Sequence, residues 1–134
     1  MASAPTLKTA GSTRYFDGSS INYNVTQIQE SSMTNAEKAY VGLSNKFNSN
    51  DHSVTVTPAS NSLKFVGRTI STPPAGFPAL VKGNFNVYIN GVLVEDDAIT
   101  SISQNGADVD ISFNAGLGFT VSSTDEFIIE GKLT

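Results

Sequence analysis

The side chains suited to chemistry are few and scattered. His52 is the single histidine and falls in the run Asn45 to Ser53, where Asn recurs at positions 45, 48 and 50. A Ser-His-Asp relay would need an activated serine and a carboxylate beside it. No Gly-x-Ser-x-Gly elbow is present, so His52 reads as a surface residue of a loop. Glu95-Asp96-Asp97 is the densest acidic run, and carboxylates are good calcium ligands. The spacing of an EF-hand loop is missing, and the run reads as a solvated strand end or turn. Asp108 and Asp110 lie two apart on a predicted strand and share a face, the arrangement paired acids would require. They lie beside Ser101 and Ser103, which marks a polar face rather than an acid-base pair. Gly116-Leu117-Gly118 lacks the third glycine and the basic residue of a phosphate loop. The chain has no cysteine, which excludes a thiolate nucleophile, a thiolate metal site and a disulfide framework. The expectation is a protein that is not an enzyme and carries no cofactor and no metal.

The elements that would hold these residues are predominantly strands. Asn84 to Ser112 reads as two successive hairpins reversing at Asn90-Gly91 and Asn105-Gly106, because a two-residue type I′ turn needs φ > 0 at both central residues. Counting outward from the first turn pairs Ile89 with Val92 and Val87 with Val94, with Phe85 next on that apolar face. Tyr88 with Leu93 and Asn86 with Glu95 occupy the other. Counting from the second turn pairs Ile102 with Val109, Thr100 with Ile111 and Ala98 with Phe113, leaving Ser103 with Asp108 and Ser101 with Asp110 on the wet side. One dry and one wet face follow from the period of two.

Before the hairpins, residues 1–20 read as an extended N-terminal arm ending in a turn at Asp17-Gly18, with Tyr15-Phe16 the only bulky pair. Residues 21–134 then form a single β-rich domain. Ile21, Tyr23 and Val25 alternate with polar residues as in a half-buried strand. A helix is predicted from Thr34, where Thr34 and Glu37 have capping-box spacing. Ala36, Ala39, Tyr40, Leu43 and Phe47 would form its apolar stripe against a sheet. Val54 and Val56 form a further hairpin with Leu63 and Phe65 around a turn at Ala59 to Asn61. Ser71 to Pro78 holds Pro73, Pro74 and Pro78, which cannot donate to a ladder, and reads as a stiff extended connection. After Phe113, a loop over Asn114 to Gly118, a short strand at Phe119 and Val121, a turn over Ser122 to Asp125 and a last strand from Phe127 to Ile129 complete the pattern. The fold class is mainly β: an antiparallel sandwich or barrel-like domain with tandem hairpins and one short helix.

Composition narrows the partners. Charged residues make up only 15%, below the usual share of about 25%, so the exterior is polar rather than charged. Residues 1–83 hold seven of the eight basic residues and four of the twelve acids, a net +3, whereas residues 84–134 set Lys132 against eight acids, a net −7. The acidic half suits a basic partner, including the N-terminal half of a neighbouring copy, or simply balances the other half within one domain. Scattered lysines and arginines without interleaved aromatics argue against nucleic acid. No run approaches the roughly 18 apolar residues of a membrane span. Met1 to Thr6 lacks the basic and apolar regions of a signal peptide, so folding in the cytosol is expected and the sequon at Asn24 reads as chance. The candidate interaction surface is Pro73, Pro74, Phe77 and Pro78, where a stiff loop loses little entropy on docking, together with Tyr15 and Phe16 on the arm.

Phe85 to Gly91, Asp110 to Phe113, Leu117 to Phe119 and Thr124 to Glu130 form an order of motifs that resembles tailed-phage virion proteins. A strand enters an Asn-Gly turn, an Ile-x-Phe strand follows, and an acidic turn precedes a last apolar strand. The resemblance covers about the last fifty residues. It implies a structural role, either a capsid decoration or cement protein or a tail-associated β-module, and it transfers no catalytic residue. Under it the expected partners are the major capsid protein or other virion proteins, the state a homo-oligomer, and the location the virion, assembled in the host cytoplasm. A carbohydrate- or receptor-binding tail component, with Tyr15, Tyr23 or Tyr88 stacking on sugars, is the alternative; the absence of Trp weighs against it. A small hydrolase would require His52 beside an acid and a serine.

Overall fold

The computed structural model describes residues 32–114 and 118–134. The chain divides into two compact units, Met1–Lys38 and Ala39–Thr134. The expected arm over residues 1–20, the strand over 21–26, and Gly116 and Leu117 lie outside the described residues.

The helix begins where its cap was read. In α1 (Asn35–Gly42) the Thr34 N–H donates to Glu37 Oε1 at 2.8 Å and the Glu37 N–H donates to Thr34 Oγ1 at 3.1 Å, so both orphan donors of the first turn are satisfied. The predicted stripe does not form. The helix stops at Gly42 with none of its residues buried, and Phe47 belongs to a strand. Its C-terminal end is held by Lys132 instead, whose Nζ donates to the carbonyls of Tyr40, Val41 and Leu43 at 2.8, 2.9 and 3.1 Å. A cation there satisfies terminal carbonyls and complements the helix dipole.

Eight strands occur among the described residues of the second unit: β1 (Asn45–Asn48), β2 (Val54–Thr57), β3 (Ser62–Phe65), β4 (Asn86–Ile89), β5 (Val92–Val94), β6 (Ile99–Asn105), β7 (Asp108–Phe113) and β8 (Phe127–Gly131). They form two antiparallel four-stranded sheets, ordered β1-β8-β4-β5 and β2-β3-β7-β6. Neither sheet closes into a barrel, and the architecture is sandwich-like. The two Asn-Gly hairpins fall in different sheets. Their dry sides contribute to one core, in which Val87, Ile89, Phe127 and Ile129 of the first sheet join Leu63, Phe65, Val109, Ile111 and Phe113 of the second. Strict alternation of buried and half-buried residues along β3 and β7 is the period of two expected of strands wet on one side.

The first hairpin has the predicted register, Val87 opposite Val94, Tyr88 opposite Leu93 and Ile89 opposite Val92. Asn90 and Gly91 take φ of 52° and 82°, as a type I′ turn demands. Asn90 also holds the turn in place. Its N–H donates to Glu126 O at 2.8 Å, its Oδ1 accepts the Glu126 N–H at 2.8 Å, and its Nδ2 donates to Asp125 Oδ1 at 3.0 Å.

The second hairpin differs in register. Asn105 pairs with Asp108, Ser103 with Asp110 and Ile102 with Ile111, so the two turn residues are Gly106 and Ala107. Of these only Gly106 has positive φ, 61°, the pattern of a type II′ turn with glycine first. Gln104 accounts for the change, since its side chain accepts the Ile70 N–H at 2.7 Å and donates to Arg68 O, Gly106 O and Asp108 O at 3.0–3.1 Å. A slip of two keeps the side chains between Ser101 and Ser112 on their predicted faces. Between Ile99 and Ser101 the ladder shifts again, leaving Thr100 as the extra residue of a bulge. Ile99 opposite Phe113, rather than Ala98, is thereby buried.

Two further expectations are corrected. Asn45–Asn48, read as loop, is an edge strand paired with β8; its long-range hydrogen bonds include Asn45 Nδ2 to Leu133 O and Asn48 Nδ2 to Glu126 Oε2, both 2.8 Å. Phe119 to Val121, read as a strand, has no ladder. The Val121 N–H donates instead to Asn61 Oδ1 at 2.8 Å. The Val54 to Phe65 hairpin, the turn at Ser122 to Asp125 and the last strand lie where they were placed.

Candidate functional site

The side chains suited to chemistry belong to the second unit, and His52, Asp108 and Asp110 each have partners of their own. The His52 ring meets the edge of Phe47, with centroids 4.9 Å apart, and the Arg68 guanidinium covers the Phe47 ring at 4.7 Å. The histidine ring thus packs against an aromatic ring, and among the described residues it makes no hydrogen bond to a serine or an acid, its chain neighbours Asp51 and Ser53 included. Asp108 takes the Gly67 N–H at 3.0 Å and Lys64 Nζ at 3.8 Å. Asp110 accepts from Asn105 Nδ2 at 2.9 Å, and its other oxygen is buried without a partner. Glu95 to Ala98 closes a single 3-10 turn, the Ala98 N–H reaching Glu95 O at 2.9 Å, and Lys82 Nζ stitches that turn through Asp96 O at 2.9 Å and Ile99 O at 2.6 Å. No group of three or more His, Cys, Asp or Glu that could hold a metal ion occurs among the described residues.

The proline-rich connection borders one surface groove of the described residues. Pro74 to Phe77 makes a turn closed by Phe77 N–H to Pro74 O at 3.0 Å, with Gly76 at φ 89°, which suits the third position of a type II turn. Phe77 stands edge-on to Tyr40 at 5.5 Å. Phe77 and Pro78 line a shallow groove of about 440 Å³ with Tyr40, Val41, Leu80 and Val81, and Pro73 and Pro74 do not reach it. Tyr15 and Phe16 lie outside the described residues.

A second groove, about 760 Å³, follows the edge of β5 that no described strand pairs with. Its apolar part comes from Ile89, Val92, Leu93, Val94, Ala98 and Phe119, and its acidic part from Glu95, Asp97 and Asp125. Val92, Leu93 and Phe119 are 68%, 52% and 48% exposed, three of the six exposed large apolar residues among those described, gathered here on one groove. No lysine or arginine among the described residues lines it. Asp125 is fixed by Asn90 Nδ2 and by the Ser122 N–H at 2.9 Å. No ion pair or hydrogen bond among the described residues engages the Glu95 or Asp97 carboxylate. Asn61 positions Phe119: it adopts φ 50°, accepts the Val121 N–H, and donates weakly to Phe119 O at 3.4 Å.

Backbone geometry makes this edge available. In an antiparallel ladder opposed residues alternate between those that exchange hydrogen bonds and those that do not. The two-residue turn makes Ile89 and Val92 a bonded pair, so Val87 and Val94 are the next one. The N–H and C=O of Leu93, between them, point away from β4 toward the groove. Sequence reading did not single out this surface. The signal was Val92-Leu93-Val94, apolar on both faces of a strand, whereas a half-buried strand needs only one.

Comparison with family models, with curated proteins and with solved structures found no match to this chain.

Proposed function

We propose that the chain is a structural subunit of a virion, a capsid decoration or cement protein that binds its shell in many copies. The observation that carries this reading is the β5 edge, unpaired among the described residues, where outward backbone groups of Leu93 adjoin the exposed side chains of Val92, Leu93 and Phe119. Covering those three side chains is worth roughly 3 kcal/mol per copy at ordinary transfer values. Such a weak contact holds when a homo-oligomer engages several sites at once. The order of motifs from Phe85 to Glu130 supports the same reading, with the major capsid protein or another virion protein as partner. Quantitative mass spectrometry of density-gradient-purified virions tests it: the chain is expected in fixed proportion to the shell protein. Its absence from purified particles, with shell protein abundant, overturns the proposal.

A further inference from the structure

The groove along β5 also specifies what it takes. We infer that it accepts an extended peptide segment of a partner protein in which apolar side chains alternate with lysine or arginine, added as a fifth strand beside β5. This deepens the assembly reading and rests on it only for the identity of the partner.

Three observations converge on that occupant. The outward N–H and C=O of Leu93 offer one bonded pair to an added strand, and the flanking turns at Asn90-Gly91 and Asp96–Ala98 keep the contact short. Val92, Leu93 and Phe119 give apolar side chains a place to bury. Among the described residues Glu95, Asp97 and Asp125 set three acids and no base around it, so a basic strand gains Coulomb attraction and an acidic one is repelled. The same rim bears on a second copy of this edge. Antiparallel pairing of β5 with itself would bring two sets of these acids into one interface, a like-charge cost that works against self-pairing.

The test uses the full chain and fluorescein-labelled seven-residue peptides with blocked ends in 0.15 M salt, read by anisotropy. A peptide alternating lysine and valine is expected to bind saturably. Peptides alternating glutamate and valine, or lysine and serine, are expected to bind at least tenfold more weakly. N-methylation of the lysine–valine peptide at alternate amides should abolish binding in one of the two possible phases and spare it in the other. In the double variant Glu95→Lys/Asp97→Lys the preference should invert toward the glutamate–valine peptide; both positions are exposed, and near-UV circular dichroism checks the fold. Equal binding of the lysine–valine and glutamate–valine peptides, indifference to both methylation phases, or no binding by the lysine–valine peptide overturns the inference on the unmutated protein alone. Failure here leaves a virion role served by another surface, and absence from virions leaves the peptide preference intact.

Discussion

Replacing Asn61 separates two contributions that meet at one residue. It sits at the end of the single 3-10 turn Pro58–Ser60 with φ 50°, and its Oδ1 is the acceptor for the part-buried Val121 N–H. Asn61→Gly keeps the left-handed backbone and removes the acceptor, leaving a donor unsatisfied, which costs about 1–3 kcal/mol. Asn61→Ala removes the same acceptor and also forces a side chain into the left-handed region, a further cost of about 1–2 kcal/mol. Asn61→Asp retains an oxygen for Val121 and loses only the 3.4 Å donation to Phe119 O, so it should cost about 1 kcal/mol or less. The expected order of stability is parent, Asp, Gly, Ala. Urea unfolding followed by circular dichroism, with slopes compared so that midpoints report stability, reads the series. If the Gly variant matches the parent, or the Asp variant falls to the level of Ala, Asn61 does not act by holding Val121. Because that hydrogen bond also places Phe119, the Gly variant should weaken lysine–valine peptide binding although no groove-lining residue has changed.

Two further substitutions probe the frame. Gly131→Ala would set a Cβ 2.5 Å from Phe85 Cδ1 and 3.3 Å from Asn84 O; with Phe85 buried at 6% exposure, the overpacking should cost about 1–3 kcal/mol, read as a lowered urea midpoint. Lys132→Met keeps most of the aliphatic stem but removes three donations to the end of α1, and should lose roughly 1 kcal/mol. Hydrogen exchange should show that loss as faster exchange at the Leu43 N–H, which bonds to Tyr40 O at 3.1 Å, while exchange at core strands stays slow.

What the sequence revealed depended on how local the determining interaction was. The Asn90-Gly91 hairpin was legible because backbone sterics at two residues fix both turn and register. At Asn105-Gly106 the same dipeptide misled, since the register is set by Gln104 reaching Arg68 and Ile70, more than thirty residues away. β1 was missed because Asn-Lys-Phe-Asn has a single apolar residue and its hydrogen bonds run to the last strand. Phe119 and Val121 have the alternation of a strand, yet the amide that would enter a ladder is taken by a side chain from the β2–β3 connection. For the site, the acidic run at Glu95 to Asp97 was visible but its place on a groove was not. That required Phe119, brought beside β5 by Asn61.

The position of β8 governs when this protein can fold. It lies between β1 and β4, so until Phe127 to Gly131 leaves the ribosome the first sheet lacks one of its two inner strands and a partner for β1. At ordinary elongation rates that wait lasts on the order of several seconds, long enough for the β4–β5 hairpin to be seen by chaperones. A nascent chain cut anywhere before residue 127 therefore lacks the piece that joins the sheet, and premature termination yields material for proteolysis rather than a partly working subunit.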